Sequence, residues 1–569
     1  MIVTGDTLSF DCETTGLKES DRPFAMSVYN GTQVGYLDSR INTKEEIAAQ
    51  IEQLNMANRI IAQNAKFDLR MLSHWGLNPR GTVSDTEVLG RLVRNDHFTY
   101  SLDAQTKRYG LHKDDGVAKY ITKNKLFTSE ISEFGTKTKL LHFDKVPMEI
   151  MRPYAEQDAI ATFDLHQKLS GDLDPRSDKV WETEQALTKV CFRMERNGVL
   201  VNTHYTREAI KYEEGLVLEA KRQFLLATGK FYDNKKTTLV EVFRKAGETI
   251  PKAAKGGDSL TDDILESFTS PAAKIVQTIR HYEKRLSTYY SSFLERIDPI
   301  GVLRADMRQA GTATGRFSYR EPNLQNVPKE EKSTAPFVVR GCFMPKPGNV
   351  FVSMDYKQQE YRLMLAYANH KQLIAEVMAG KDVHQATADL VGISRSNAKT
   401  LNFAILYGAG PAKIALMLGI PVHEARKLIE RYFNSLMEVE KLIFDVTKKG
   451  AAVGHVYNWA GRKLHITSRE FAYALPNHLI QGGGADICKI AMVECAKIIP
   501  NTPVTMVLQI HDAIVFEMPK ESIPRYAPVL RQIMIDAFPA KNGMLMDVDI
   551  AIGEKSLAER DMVKWKEEA

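Results

Sequence analysis

Two arrangements in this sequence could do chemistry: carboxylates two apart on a strand, and cations and rings four apart on a helix. Asp11 and Glu13 end a strand-like run in which Leu8 and Phe10 alternate with polar neighbours. Period-two alternation puts both carboxylates on one face, with Cys12 turned away. Such a pair can bridge hard divalent cations such as magnesium. The triplet alone is not specific, because Asp85-Thr86-Glu87 repeats it. A second strand, Val350 to Met354, delivers Asp355 just ahead of a helix, a placement that suits a metal ligand or a turn. Arg395, Lys399, Phe403 and Tyr407 advance about 40° per step and line one helical stripe. Cations suit a triphosphate and rings a base and sugar, although the rings could equally pack into a core. Lys399 is then a candidate general acid toward a departing pyrophosphate. Finally, His511-Asp512 sits between two apolar runs, as a plain turn or as a hairpin with a carboxylate at its tip. Asp355 and Asp512 together would supply a paired metal site for phosphoryl transfer.

The elements that must position these residues are legible in outline. Up to residue 172, strand and helix signals alternate: a strand into Thr14-Thr15-Gly16, a hairpin around Asn30-Gly31, then Ile47, Ile51 and Leu54 at helical spacing. Asn64-Ala65-Lys66-Phe67-Asp68 follows the strand-like Arg59 to Ala62, and Tyr154 to Asp158 opens a helix carrying Ile160, Phe163 and Leu165. From Trp181 to Ile300 the pattern is helical and basic, with Lys230, Lys235, Lys236, Lys252, Lys255, Lys274, Lys284 and Arg285. That charge is either a solvated face or a phosphate-tracking surface.

Composition sets the bounds. Over 569 residues, 44% are hydrophobic and 26% charged, which excludes a disordered, collagen-like or coiled-coil chain. The net charge of +5 neither demands nor forbids a nucleic-acid partner. Five cysteines without a CxxC pair read as buried thiols in a reducing compartment, not as a disulfide frame or zinc site. No apolar run approaches the ~20 residues of a membrane span, and Met1 to Phe10 lacks signal-peptide features. An intracellular, soluble, multidomain enzyme is expected, with no membrane partner.

In order, the strand DxE, the NxxFD and the YxxxD resemble the proofreading 3′–5′ exonucleases of the DEDD type that keep a tyrosine. That resemblance makes Asp11, Glu13, Asp68 and Asp158 metal ligands and gives Tyr154 the orienting of the attacking water. The Asp355, Arg395-to-Tyr407 and His511-Asp512 blocks, with Gly311 to Ser318 and Pro322 to Pro328, resemble family A DNA polymerases. These are the bacterial DNA polymerase I group and its phage relatives, and the resemblance runs from about residue 5 to 555. The implied fold is an α/β, RNase H-like exonuclease domain over 1–172, followed by an α+β right-hand polymerase. Its parts are a mostly helical thumb over 173–300, palm over 301–370, fingers over 371–455 and palm again over 456–569.

The same resemblance implies further roles. Asp355 and Asp512 hold two magnesium ions, as the exonuclease carboxylates do, with manganese able to substitute. Arg395, Lys399 and His384 take the phosphates, Phe403 the sugar and Tyr407 the nascent pair. Glu360 is a steric gate against a ribose 2′-hydroxyl. Arg316, Gln325, Asn326, Asn477, Gln481 and His511 contact primer–template DNA. The expected enzyme works as a monomer on primer–template and dNTPs, with a replisome or processivity factor as a further partner that the residues do not identify.

Four departures from the family pattern stand out: Ala513 in place of an auxiliary carboxylate, Ala404 in place of a glycine, Tyr473 in place of an arginine, and the run Gly482-Gly483-Gly484, which suggests close approach of DNA. The exonuclease begins almost at Met1 and leaves no room for a 5′-nuclease domain, so a replicative, phage-like context is expected. A single-subunit RNA polymerase shares the two aspartates and the Lys/Tyr helix, but Glu360, Phe403 and the attached exonuclease argue against it. A catalytically inert DNA-binding protein is disfavoured because both sites are complete.

Overall fold

The computed structural model describes residues 1–113, 116–253, 256–330 and 333–565; Lys255, one of the basic positions above, lies outside them. The amino-terminal sheet is built from β1 (Thr7–Thr14), β2 (Pro23–Tyr29), β3 (Val34–Asp38), β4 (Arg59–Ala62) and β5 (Thr82–Asp85), in the order β3-β2-β1-β4-β5. β1 runs antiparallel to β2 and parallel to β4, the RNase H-like arrangement. Cys12, Phe10 and Leu8 join the core between this sheet and the helix Lys44–Met56, whose inner face is Ile47, Ile51 and Leu54.

The helix carrying Tyr154 and Asp158 begins earlier than the sequence suggests, at Met148, and runs to Asp172. Pro153 looks like a helix start, but in the second turn it removes one backbone hydrogen bond without ending the helix. A hairpin of largely exposed strands, Phe127–Ile131 and Lys137–Leu141, was not foreseen at all. Its residues lack a buried face and so carry no hydrophobic alternation.

The helix Asp178–Asn197 joins the two halves. Lys66, from the NAKFD segment, pairs with Glu195 of this helix at 2.5 Å and with Asp306 at 2.9 Å. Further along, Glu184 is wholly buried with Arg462, Asp486 and Lys489. Arg462 bonds Glu184 and Asp486, Lys489 bonds Glu184, and Gln309 donates to Glu184 at 2.8 Å. Two cations thus meet two carboxylates, which is what burial of four charges requires.

Helices Thr203–Thr228 and Pro271–Lys284 pack on each other around a core of their own. Arg285, placed by its sequence neighbours among surface charges, is internal: it bonds Glu213 and Tyr290 at 2.7 Å and also pairs with Glu330. The carboxy-terminal half is built on a five-stranded antiparallel sheet ordered Thr505–Ile510, Ala513–Pro519, Asn349–Tyr356, Val548–Gly553, Met562–Lys564. A helical lobe from Lys371 to Val453 is inserted in the middle of it.

The three glycines 482–484 lie inside the helix Leu475–Ile498 and are buried. A Cβ on Gly482 would come within 2.7 Å of Leu464, and one on Gly484 within 2.7 Å of Gln359. They let the chain approach itself closely, a packing role that the glycine run alone does not reveal.

Candidate active sites

The first site is assembled by three elements. β1 supplies Asp11 and Glu13, the helix Ala65–Leu72 supplies Asp68, and the helix Met148–Asp172 supplies Tyr154 and Asp158, one turn apart. Two buried serines seat that last helix across the sheet: Ser9 and Ser27 each donate to its backbone, at Ala159 and Ala155, both at 2.7 Å. The short helix is fixed at its start by Asp85, whose oxygens accept from the backbone N–H groups of Asn64 and Ala65 at 3.0 and 2.9 Å. The second DxE triplet is therefore structural. Asp85 caps one helix and the start of the next, and Glu87 pairs with Arg91 and Arg308. Asp68 is held by the backbone N–H of Cys12 at 3.1 Å.

These carboxylates crowd one another. Burial first, then the charges of Asp158 and Asp68, push Glu13 up to about 8; Asp11 is raised well above its usual value by burial, Asp68, Glu13 and Asp158; burial raises Asp68 to about 7. Such a cluster calls for positive charge. Among the described residues, however, no three or more His, Cys, Asp or Glu side chains are close enough to cage a metal as they stand. The cation present is Lys113, whose ammonium lies 2.6 Å from both oxygens of Asp158 and 5.1 Å from the Tyr154 ring centre. No spacing signal pointed to Lys113, because its partners are 45 residues away in sequence.

The second site is a strand pair. Asp355, next to last in its strand, lies directly opposite Ala513, and the two-residue turn His511-Asp512 precedes Ala513. Ala513 therefore places no third carboxylate opposite Asp355. His511 has φ 57, a left-handed conformation that an L-residue adopts at a cost. Gln325 supports it: its side chain accepts from the backbone N–H of His511 at 2.7 Å and donates to Gln509 at 2.7 Å. Gln325 is thus buried and committed to shaping the turn. Burial, then the Asp355 charge, lifts Asp512 to about 8. Asp355 Oδ1 is buried with no hydrogen-bond partner among the described residues, and Lys329 stands 3.5 Å from Oδ2. An orphaned carboxylate oxygen beside a second crowded carboxylate fits a divalent cation. Lys329, directly after the PNLQNVP block, was the other residue the sequence did not single out.

The helix Arg395–Leu406 presents the expected stripe. Arg395, Lys399, Phe403 and the capping residue Tyr407 are exposed, while Ala398, Leu401, Asn402 and Ile405 are buried. The rings are not core, which removes the alternative left open by spacing. Arg395 grips Asp382 through two bonds of 2.9 Å, and buried His384 lies 5.7 Å from Phe403, ring to ring. Tyr407 donates to Glu360 at 3.1 Å, and Glu360 pairs with Arg316, so a hydrogen-bonded chain ties the end of the stripe to the Gly311–Ser318 loop. Arg316, Gln325, Gln359, Gly484 and His511 line one cleft. Asn477 and Gln481 are one helical turn apart, half-buried, with Gln481 accepting from Thr314 at 3.4 Å. Asn326 exposes its side chain while its carbonyl accepts from Tyr289 at 2.7 Å.

The raised carboxylates fix a sign for pH dependence. An acid whose folded pKa exceeds its unfolded value contributes stability that is lost as pH rises toward the folded value. With Asp512 and Glu13 at about 8, the chelated protein is expected to lose thermal stability from the unfolded carboxylate range near about pH 4 up to about pH 8 and to level off above it, and the stretch from about pH 7 to about pH 8 lies above the range where histidines titrate on unfolding. Calorimetry in EDTA should show a flatter slope for Glu13→Gln with Asp512→Asn; an unchanged slope would count against this electrostatic account.

Residues 3–174 match the 3′–5′ exonuclease family, and residues 210–558 match DNA polymerase family A. That second match covers more than half of the chain, and the chain belongs to DNA polymerase family A. Among its relatives, DNA polymerase I of Chloroflexus aurantiacus is 30% identical over 510 residues, covering 84% of this chain and 52% of the relative. The chain thus spans about half the length of the bacterial relatives it matches. DNA polymerase DpoZ of Acinetobacter phage SH-Ab 15497 is 25% identical over 566 residues, 89% of each chain. In fold, the chain is similar to the POL domain of Pol1 from M. smegmatis, solved in complex with DNA primer-template and dNTP: TM-score 0.83, 21% identity, 97% of this chain and 95% of that one. No helix among the described residues is long and apolar enough to cross a membrane.

Proposed function

We propose that the chain extends a primer 3′ end with dNTPs on a DNA template and trims it at a separate 3′–5′ exonuclease site. Residues 1–172 would be the exonuclease, 173–300 the thumb, 301–370 and 456–569 the palm, and 371–455 the fingers. The observation that carries the reading is the crowded pair Asp355–Asp512 on adjacent strands, linked through Arg316 and Glu360 to an exposed stripe of two cations and two rings. Magnesium, or manganese in its place, would be held by Asp355 and Asp512 in one site and by Asp11, Glu13, Asp68 and Asp158 in the other. Two such ions per site activate a nucleophilic oxygen and stabilise the departing one.

The chain's own groups do the rest. Arg395, Lys399 and His384 bind the triphosphate, and Lys399 is the proton donor to pyrophosphate. Phe403 and Tyr407 offer faces to sugar and base. Asn326, Asn477, Gln481, Arg316 and His511 face the primer–template, where minor-groove acceptors look alike for every correct pair and so report shape. Gln325 acts on DNA through the His511 turn. At the exonuclease site Tyr154 orients the attacking water. The match to a phage DNA polymerase along nine-tenths of both chains supports a phage-like enzyme, and a replicative role as a monomer completes the reading.

Primer extension with deoxy- against ribonucleotides in magnesium tests the assignment; ribonucleotide preference would overturn it. Glu360, buried and fixed by Arg316 and Tyr407, cannot swing away from a 2′-hydroxyl. Glu360→Ala is therefore expected to raise ribonucleotide incorporation about 10²-fold relative to the parent, measured as the ratio of kcat/KM values.

A further inference from the structure

We infer that Lys113 is the resident cation of the exonuclease site, occupying Asp158 in place of a divalent ion, so that metal must displace it before the primer can be trimmed. The inference rests on the assignment of that site as a metal-dependent exonuclease. Its geometry is specific. The ammonium bonds both oxygens of Asp158 at 2.6 Å, in a place where the two side chains are only 18% and 6% exposed. A carboxylate with both oxygens engaged by one ammonium has to release it to ligate a metal. The same ammonium stands over the Tyr154 ring, the group that would orient water. It also eases the crowding: its charge opposes the upward push on Asp11 and Glu13.

The contrast with the synthetic site sharpens the point. There, among the described residues, Lys329 reaches one oxygen of Asp355 at 3.5 Å and is about half exposed. A single, solvated contact is weak competition, whereas a buried two-oxygen contact is strong. Lys113 should thus set a higher divalent-ion threshold for trimming than for extension, and starve proofreading first when metal is scarce.

The test uses the full chain carrying Asp355→Asn and Asp512→Asn, so that only the exonuclease site takes metal, and follows Mn2+ binding by the loss of the free-ion electron paramagnetic resonance signal. Adding Lys113→Met is expected to tighten Mn2+ binding about tenfold, and Lys113→Arg to restore the weak binding. In EDTA the Met variant should unfold at a lower temperature, and saturating Mn2+ should recover it. Unchanged or weaker Mn2+ binding in Lys113→Met overturns the inference. The underlying assignment fails differently: Mn2+ binding that is insensitive to Asp11→Ala would mean these carboxylates hold no metal at all. With the polymerase carboxylates intact, Lys113→Met should also lower the magnesium concentration for half-maximal trimming while leaving that for extension in place.

Discussion

Asp355→Asn and Asp512→Asn are each expected to cut primer extension by about 10⁴-fold while trimming of the same primer continues. The size follows from what the pair is for. On the proposed assignment the two carboxylates would share bound cations and set the charge at the point where the triphosphate is broken, and an amide keeps the shape while removing the charge. The architecture gives the amide a good chance of folding. Asp355 is registered against Ala513 by the strand ladder, and the backbone N–H of Tyr356 donates to the carbonyl of Asp512 at 3.4 Å, neither of which uses a carboxylate.

Electrostatics adds a second, opposite sign. Asp512 is pushed up to about 8 by burial and by Asp355, so an ionised pair is a liability in the absence of metal. Asp512→Asn should therefore raise the thermal midpoint in EDTA at pH 8 while abolishing extension. Lost activity with gained stability is hard to produce by misfolding. Equal loss of extension and trimming, with a lowered midpoint, would instead point to structural damage or to one shared site.

Much of this was legible because the informative residues lie close together in the chain. β1, the NAKFD segment and the Arg395-to-Tyr407 stripe each need fewer than four turns or one strand to be recognised, and local periodicity carries that. The Asp11 and Asp85 triplets show the limit. They are identical in pattern, yet one faces a cluster of carboxylates and the other caps two helices, a difference set by which strand leads into which helix. Lys113 and Lys329 were invisible for a related reason: each is a single lysine whose meaning comes from a carboxylate brought near by folding. Gln325 was visible as part of a motif but not as a prop for a left-handed histidine, since no sequence pattern announces a non-glycine residue at positive φ. The glycine run was only half legible because sparing a Cβ serves any close approach, and packing was needed to show that Leu464 and Gln359 are among the neighbours.

Asp11→Ala is expected to abolish trimming, by about 10³-fold or more, with extension on a matched primer unchanged. Asp11 lies on the face of β1 opposite Cys12, half-buried beneath the helix Met148–Asp172, and takes no part in the hydrophobic core on the other side of the sheet, so its removal spares that core. It also subtracts one negative charge from a cluster that is already over-supplied, which should ease Glu13, Asp68 and Asp158 in the metal-free protein. The functional consequence differs between primers. On a matched 3′ end, extension should outrun trimming and the variant should behave as the parent. On a mismatched end, the parent should remove the mispaired nucleotide before extending, whereas the variant should stall or seal the mismatch into product. Gel analysis of both primers in magnesium distinguishes these outcomes in one experiment. Mismatch removal at the parental rate would place trimming elsewhere than on β1, and a parallel fall in matched extension would tie the two sites together through the Lys66–Glu195–Asp306 contacts that join the halves of the molecule.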